Sequence, residues 1–460
     1  MSDASRWAPL AALLLVPAVG AAQDTPRPER LYINPMEMNP GPRALGLGGA
    51  FVGVAERAEG ISSNLASLAQ RNPLLYGSVD VEGTASWLAS MGDNGPKSTE
   101  QFSASFMLQI RRFGIGAYYR RNTQALCVAV YPLKPCDDTL TVLVESKGFA
   151  SAMSFLDDDL ILGFGVMKPA AGLTYRYADS LSGDSEEWSY GRDPLIFQGY
   201  QLEGSLLYRP NGQPFRVGVR FQPETVGGFE RKYNQARGDL QAVTVVSATH
   251  QVPSAVVTPG LVSVGASIRL GEGMRNYNRL SPKAREVMLE RVGPAKTPAE
   301  VPYDAPSGSF LVTMQLDLLL ATKGAIASSL YVTAPEPSPP PLAGEATLMV
   351  ARLGVEHETL PGRLRLRAGT WFEPSLFAGL PQRGHGTGGA DLRLFHFIID
   401  WTVYAAVDLA AGSYLYTFGL TGWQGPTPFR KPKQVQEAEA EKSREPPLRE
   451  EAIPDAPLRE

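Results

Sequence analysis

Phe102-Ser103-Ala104-Ser105-Phe106-Met107-Leu108-Gln109-Ile110-Arg111 decides the fold. Phe102, Ala104, Phe106, Leu108 and Ile110 alternate with Ser103, Ser105, Met107, Gln109 and Arg111. Side chains that repeat every second residue lie on one face of a β-strand, so this segment has one apolar and one polar face. Arg112-Phe113-Gly114 then supplies turn chemistry, and a second strand follows.

The same pattern recurs along the chain. Phe215, Val217, Val219 and Phe221 alternate with Arg216, Gly218 and Arg220; Phe310, Val312, Met314, Leu316 and Leu318 alternate with Leu311, Thr313, Gln315 and Asp317. Leu364, Leu366 and Ala368 alternate with Arg363, Arg365 and Arg367. Strands are predicted over 75–83, 101–111, 113–122, 139–156, 159–177, 199–209, 214–222, 256–270, 309–320, 346–357, 363–373, 390–398, 401–409 and 413–423. The joints after the second, fourth, sixth, tenth and twelfth strands are short, and most others are long. A soluble sandwich has no reason to keep that parity. A membrane barrel does, with tight turns at one end and long loops at the other. The predicted fold is therefore all-β: a transmembrane antiparallel β-barrel of about 14 strands, with its N-terminal segment folded inward as a plug. Two joints depart from the parity: Ala410-Ala411-Gly412 is short, and 271–308 is long, with a helix predicted over about 281–293 from Ser281, Pro282 and Gly293. Tyr118, Tyr119, Trp371, Phe372, Trp401, Tyr404, Tyr414, Tyr416, Phe418 and Trp423 lie in or beside strands and are candidates for interfacial girdles.

Composition agrees. The chain has 460 residues, net charge −4, 43 % hydrophobic and 20 % charged residues, with 46 Gly and 38 Pro. There is no basic excess to neutralise phosphates, which argues against a nucleic-acid partner. Beyond the leader, no apolar run reaches the ~20 residues of a membrane helix. Residues 1–22 read as a Sec-type signal peptide: Arg6, an apolar stretch from Ala8 to Val19, then Gly20 and Ala22 before a cut at Gln23. Export suits Cys127 and Cys136, a close pair expected to form a disulfide in a loop. The four histidines are scattered and none neighbours a cysteine, so no metal site and no cofactor is expected. His396 and Ser309 have no evident catalytic partner, and the chain does not read as an enzyme.

The domain plan is a plug at 23–73, a barrel at 74–424 and a charged periplasmic tail at 425–460, too poor in apolar residues to order itself. The plug contains Arg43-Ala44-Leu45-Gly46-Leu47-Gly48-Gly49-Ala50-Phe51 and then Ile61-Ser62-Ser63-Asn64-Leu65-Ala66. It is not a phosphate loop, since no lysine-threonine follows the glycines. Glycine among bulky Leu45, Leu47 and Phe51 allows positive φ and close approach inside a barrel.

The stretch Arg43 to Ala69 resembles the start of the FadL-like outer-membrane transporters of long-chain fatty acids and hydrophobic compounds. Arg43, Ala44, Gly46, Gly48, Gly49, Ala50, Asn64, Ala66 and Leu68 match that family's hatch pattern, and Leu65 stands where the family has proline. Leu207-Tyr208-Arg209-Pro210-Asn211 with the strand from Phe215 is similar to its middle hairpin, and Leu366 to Pro374 to a late strand and loop. The resemblance implies a hatch built on Arg43, Leu45, Gly46, Gly48, Gly49, Phe51 and Asn64, location in the Gram-negative outer membrane, and passive uptake of hydrophobic compounds such as long-chain fatty acids or hydrocarbons. Inward-facing Arg111, Arg216, Arg220, Arg352, Arg365 and Arg367 are candidates to hold a ligand carboxylate, with salt bridges inside the lumen as their other use. Expected partners are outer-membrane lipid and lipopolysaccharide and a hydrophobic small molecule. The alternative is a non-transporting barrel that serves a secretion or surface-motility machine through a periplasmic or surface protein partner.

Overall fold

The computed structural model describes residues 30–33, 41–70, 77–90, 96–110, 112–127, 139–178, 185–188, 195–229, 255–271, 277–278, 310–327, 342–360, 364–375, 382–396, 400–410 and 413–423. A closed antiparallel barrel of 14 strands accounts for most of them. We number the barrel strands β1 (Gly77–Ser90), β2 (Pro96–Ile110), β3 (Phe113–Cys127), β4 (Thr139–Phe155) and β5 (Leu160–Ala178). The next three are each interrupted once: β6 (Leu195–Gln198 and Gln201–Tyr208), β7 (Phe215–Gln222 and Thr225–Phe229) and β8 (Ala255–Thr258 and Leu261–Leu270). The rest are β9 (Phe310–Leu319), β10 (Leu348–Leu360), β11 (Leu364–Glu373), β12 (Arg383–His396), β13 (Asp400–Ala410) and β14 (Ser413–Trp423). Each strand pairs with the next, and β1 closes the ring on β14 from Asp80↔Trp423 to Ser90↔Ser413.

The side-chain sorting settles barrel against sandwich. Phe102, Phe106 and Ile110 are exposed, whereas Met107 and Gln109 on the other face are buried. On β9, Phe310, Met314 and Leu316 are exposed while Thr313 and Asp317 are buried. Such inside-out polarity suits a wall with lipid outside. Tyr118 and Tyr404 are buried and face the lumen, so they do not belong to a girdle; Tyr416 and Phe418 are exposed on the outer face. The girdle expectation thus fails for aromatics whose strand parity points inward.

Residues 41–70 form a segment, here called the hatch, that packs against the inner face of the wall. It consists of α1 (Pro42–Gly46), α2 (Arg57–Gly60) and a 3-10 turn (Leu65–Ala69) joined by tight turns. Proline at the start of α1 sets φ where no intrahelical donor is needed. Asn64 caps the 3-10 turn, accepting from Ala66 N at 3.0 Å and donating to Val52 O and Leu206 O. The polar face of the wall satisfies the backbone of this irregular segment. Gln315 Oε1 accepts from Phe51 N and Val52 N, both at 2.9 Å; Thr313 donates to Ala50 O, and Gly48 N donates to Thr387 at 3.0 Å. Buried backbone groups need such partners.

A short strand Arg30–Tyr32, which the sequence pattern does not announce, runs parallel between Ala255–Thr258 and Ala325–Ala327. It reaches the long-loop end of the barrel ahead of the hatch. β12 starts at Arg383, seven residues before the predicted boundary at 390, because Gly384, Gly386, Gly388 and Gly389 mask the alternation. The signal peptide, Arg111, Cys136, the helix at 281–293 and the tail lie outside the described residues.

Candidate functional site

Two arginines hold the hatch to the wall. Arg43, at the start of α1, is 1 % exposed and meets three carboxylates: Glu59 at 2.7 Å, Glu56 at 3.0 Å and Glu356 of β10 at 2.9 Å. Glu356 also accepts from Arg367 of β11 at 2.6 Å, and Arg367 pairs with Asp391 of β12. Burial alone would lower the Arg43 pKa; the carboxylates, Glu356 foremost, overcome it and hold the guanidinium well above its ordinary value. On the other side, Arg216 of β7 donates to Glu56 at 2.8 Å and to Val54 O at 3.0 Å. The same guanidinium donates to Asn278 Oδ1 and Tyr277 O, in the connection between β8 and β9. Burial works against ionised Glu56, but Arg216 and Arg43 hold its carboxyl far below the usual range. Burial pushes the Glu59 carboxyl up, against the opposing pull of Arg43.

A cavity of about 110 Å³ lies between the hatch and the wall formed by β3–β10. Ile33, Val52, Val144, Met167, Phe197 and Leu261 give it apolar sides. Arg120, Arg220 and Arg352, on β3, β7 and β10, also line it. Arg220 is held by Glu203 at 2.8 Å. Arg352 is held by Asp317 at 2.6 Å and by Gly48 O, and its guanidinium lies 4.7 Å from the Trp371 ring. Arg120 differs. Its guanidinium lies over the Tyr118 ring at 4.9 Å, but its Nη2 is buried with no hydrogen-bond partner among the described residues.

Of the arginines singled out in the sequence, Arg220 and Arg352 therefore line the cavity. Arg216 and Arg367 serve the hatch network, and Arg365 faces inward opposite Asp391 and Glu358 in the ladders, away from the cavity. Arg120 was not singled out. The Tyr118-Tyr119-Arg120-Arg121 run hides it, since only the strand parity of β3 tells which arginine points inward. Among the hatch residues, Gly48 and Gly49 have φ of 66° and 76°, whereas Gly46 is helical and owes its place to close packing on Gly389 and Arg367.

No protein-family profile matches the chain, and no curated protein does. Solved structures do match. The chain is similar to a FadL homologue of Pseudomonas aeruginosa at 9 % identity, with 84 % of this chain and 98 % of that chain covered and a TM-score of 0.50. It is also similar to the CymD monoaromatic hydrocarbon channel (12 % identity, 83 % and 96 % covered, TM-score 0.49). A third match is the toluene transporter TodX of P. putida (10 % identity, 84 % and 99 % covered, TM-score 0.47). The chain has the FadL-type fold, an outer-membrane type of β-barrel. At these identities the likeness is one of fold.

Proposed function

We propose that the protein is an outer-membrane channel for passive uptake of hydrophobic compounds, in which the cavity above the hatch is a binding station. One observation carries this reading: a cavity of mixed apolar and polar lining, bordered by the hatch, whose wall includes Arg120, a side chain whose Nη2 is buried with no hydrogen-bond partner among the described residues. Buried polar groups are normally satisfied. An anionic or hydrogen-bonding head on an otherwise apolar molecule supplies the missing acceptor, and a charge-assisted bond to a carboxylate is the strongest form of it. The volume suits one small apolar body; an apolar cavity of about 150 Å³ holds a benzene ring. Longer chains need the hatch to move. Residues 1–22 direct export on this reading, with the short-turn end of the barrel in the periplasm.

The direct test is binding of labelled amphiphiles to the purified barrel. Wild-type protein should retain a short-chain or aromatic carboxylate that Arg120→Met releases, while a neutral analogue of equal size binds both alike. Equal retention of the carboxylate by both proteins would remove Arg120 from the site. A barrel serving a secretion or motility machine is the second reading. The Tyr277–Asn278 contact with Arg216 favours it, because it ties the β8–β9 connection to the hatch.

A further inference from the structure

The outer surface of the wall carries a row of cations that neither the cavity nor the hatch uses. Tyr119 of β3, Lys147 of β4 and Lys168 of β5 stand directly opposite one another in the two ladders. One step further up, Arg121 faces Glu145. Strand parity points all of them away from the lumen: Phe149 and Met153 share the face of Lys147 and are exposed, as do Phe164 and Val166 with Lys168. Met167 and Ser146, on the other face, line the internal cavity.

On β4 and β5 the row sits just above the exposed apolar residues. Below it, toward the short turns, the outward residues are Phe149, Met153, Phe164, Val166 and Leu202. At its level on β3–β5 the outward residues turn to Tyr, Lys and Arg, with Tyr200, in the interruption of β6, packed under the Lys168 ammonium at 5.8 Å. Aromatic and long basic side chains belong at the headgroup level of a bilayer.

Two lysines directly opposite each other in a ladder repel, and the arrangement is unfavourable without a counterion. The nearby carboxylate does not fill that role for both. Glu145 lies 3.9 Å from Lys147 and is already accepting from the Tyr119 hydroxyl at 2.8 Å. Beside the lysines an open groove of about 310 Å³ runs along the wall, bordered by Leu143, Ala170, Ile196 and Gln198 as well as by Lys147, Lys168 and the Glu145 carboxylate between them and Arg121. Basic side chains next to an apolar groove at headgroup height match a phosphorylated lipid: phosphate on the cations, acyl chain or sugar in the groove.

We propose that Lys147, Lys168 and Arg121 form a binding site for the phosphorylated headgroup of an outer-leaflet glycolipid of the lipid A type. The long-loop end of such a barrel faces the outer leaflet, and on β4 and β5 the row lies on the long-loop side of the exposed apolar residues. The site depends only on the lipid-facing wall and stands or falls apart from the transport reading.

The test is native mass spectrometry of the full chain in detergent, titrated with bisphosphorylated lipid A, its dephosphorylated form and phosphatidylglycerol. The wild type should retain the bisphosphorylated lipid at least tenfold better than the other two, and 10 mM inorganic phosphate should not displace it. Lys147→Ala/Lys168→Ala should lose that preference, and Lys147→Arg/Lys168→Arg should keep it, both checked for assembly by heat-modifiable mobility. If the alanine pair does not assemble, Lys168→Gln alone reads the same loss. Equal retention of the dephosphorylated lipid or of phosphatidylglycerol, displacement by phosphate alone, or unchanged binding in the alanine pair would overturn the proposal.

Discussion

Arg43 of the hatch grips both oxygens of Glu356 in the barrel wall, Nε at 2.9 Å and Nη2 at 3.0 Å, across 313 residues of chain. A bidentate pair fixes orientation as well as distance. Its third nitrogen takes Glu59, so one buried guanidinium ties α1 to α2 and both to β10. Any movement of this segment away from the wall must break that attachment.

Arg43→Met should free the hatch while leaving the barrel closed. Removing one member of a buried ionic cluster strands the others and typically costs about 3–5 kcal/mol. The β1–β14 closure does not involve Arg43, so the heat-modifiable gel shift should persist. Single-channel recordings should show larger and noisier conductance than wild type. Wild-type conductance from the variant would mean that the hatch is held elsewhere.

Gly48→Val and Gly354→Val should act alike for different reasons. Gly48 has positive φ, and a Cβ there would meet Thr370 O at 2.7 Å and Leu353 O at 2.8 Å. Gly354 is on the wall, where a Cβ would press into the backbone of Leu47. Overpacking costs about 1–3 kcal/mol, and the hatch is the part that yields. Both variants should raise leakage of small solutes into liposomes relative to Gly384→Val, whose Cβ meets nothing within 4 Å.

The hatch carboxylates should respond to pH in opposite senses. Glu56 has a depressed folded pKa, so its contribution is present above its unfolded value near 4.3 and is lost only as pH falls through the much lower folded value. Glu59 has a raised one; its protonated form suits the fold, and that benefit is lost as pH rises through the raised value. Glu59→Gln should therefore hold the hatch more tightly than wild type at pH 8, and Glu56→Gln less tightly. Protease protection of the hatch across pH 5 to pH 8 reads both effects. Looser hatches in both variants at pH 8 would contradict the assignment for Glu59.

Much of this architecture was legible in the sequence, for a physical reason. In a membrane barrel every strand must keep apolar residues on one face, so Phe310-Leu311-Val312-Thr313 reports both strand and orientation. Arg43, Gly48 and Asn64 also stand out in the sequence; in the structure Arg43 pairs with Glu356, Gly48 has positive φ and Asn64 caps the 3-10 turn. Arg30–Tyr32 was not, since a three-residue strand inserted between others shows no period. Arg120 was missed because the Tyr118-Tyr119-Arg120-Arg121 run does not itself show which arginine points inward; the pairing of β3 with β2 and β4 decides it. That distinction belongs to tertiary packing.

The measurement that tests the central claim most directly is uptake of labelled fatty acids and hydrocarbons in a deletion strain carrying either wild-type protein or Gly48→Val. The channel account predicts that deletion lowers uptake of at least one hydrophobic substrate, that wild type restores it, and that the variant changes it while raising leakage of small solutes. Unchanged uptake of every substrate in the deletion strain would contradict the account and leave the barrel as a component of a surface machine.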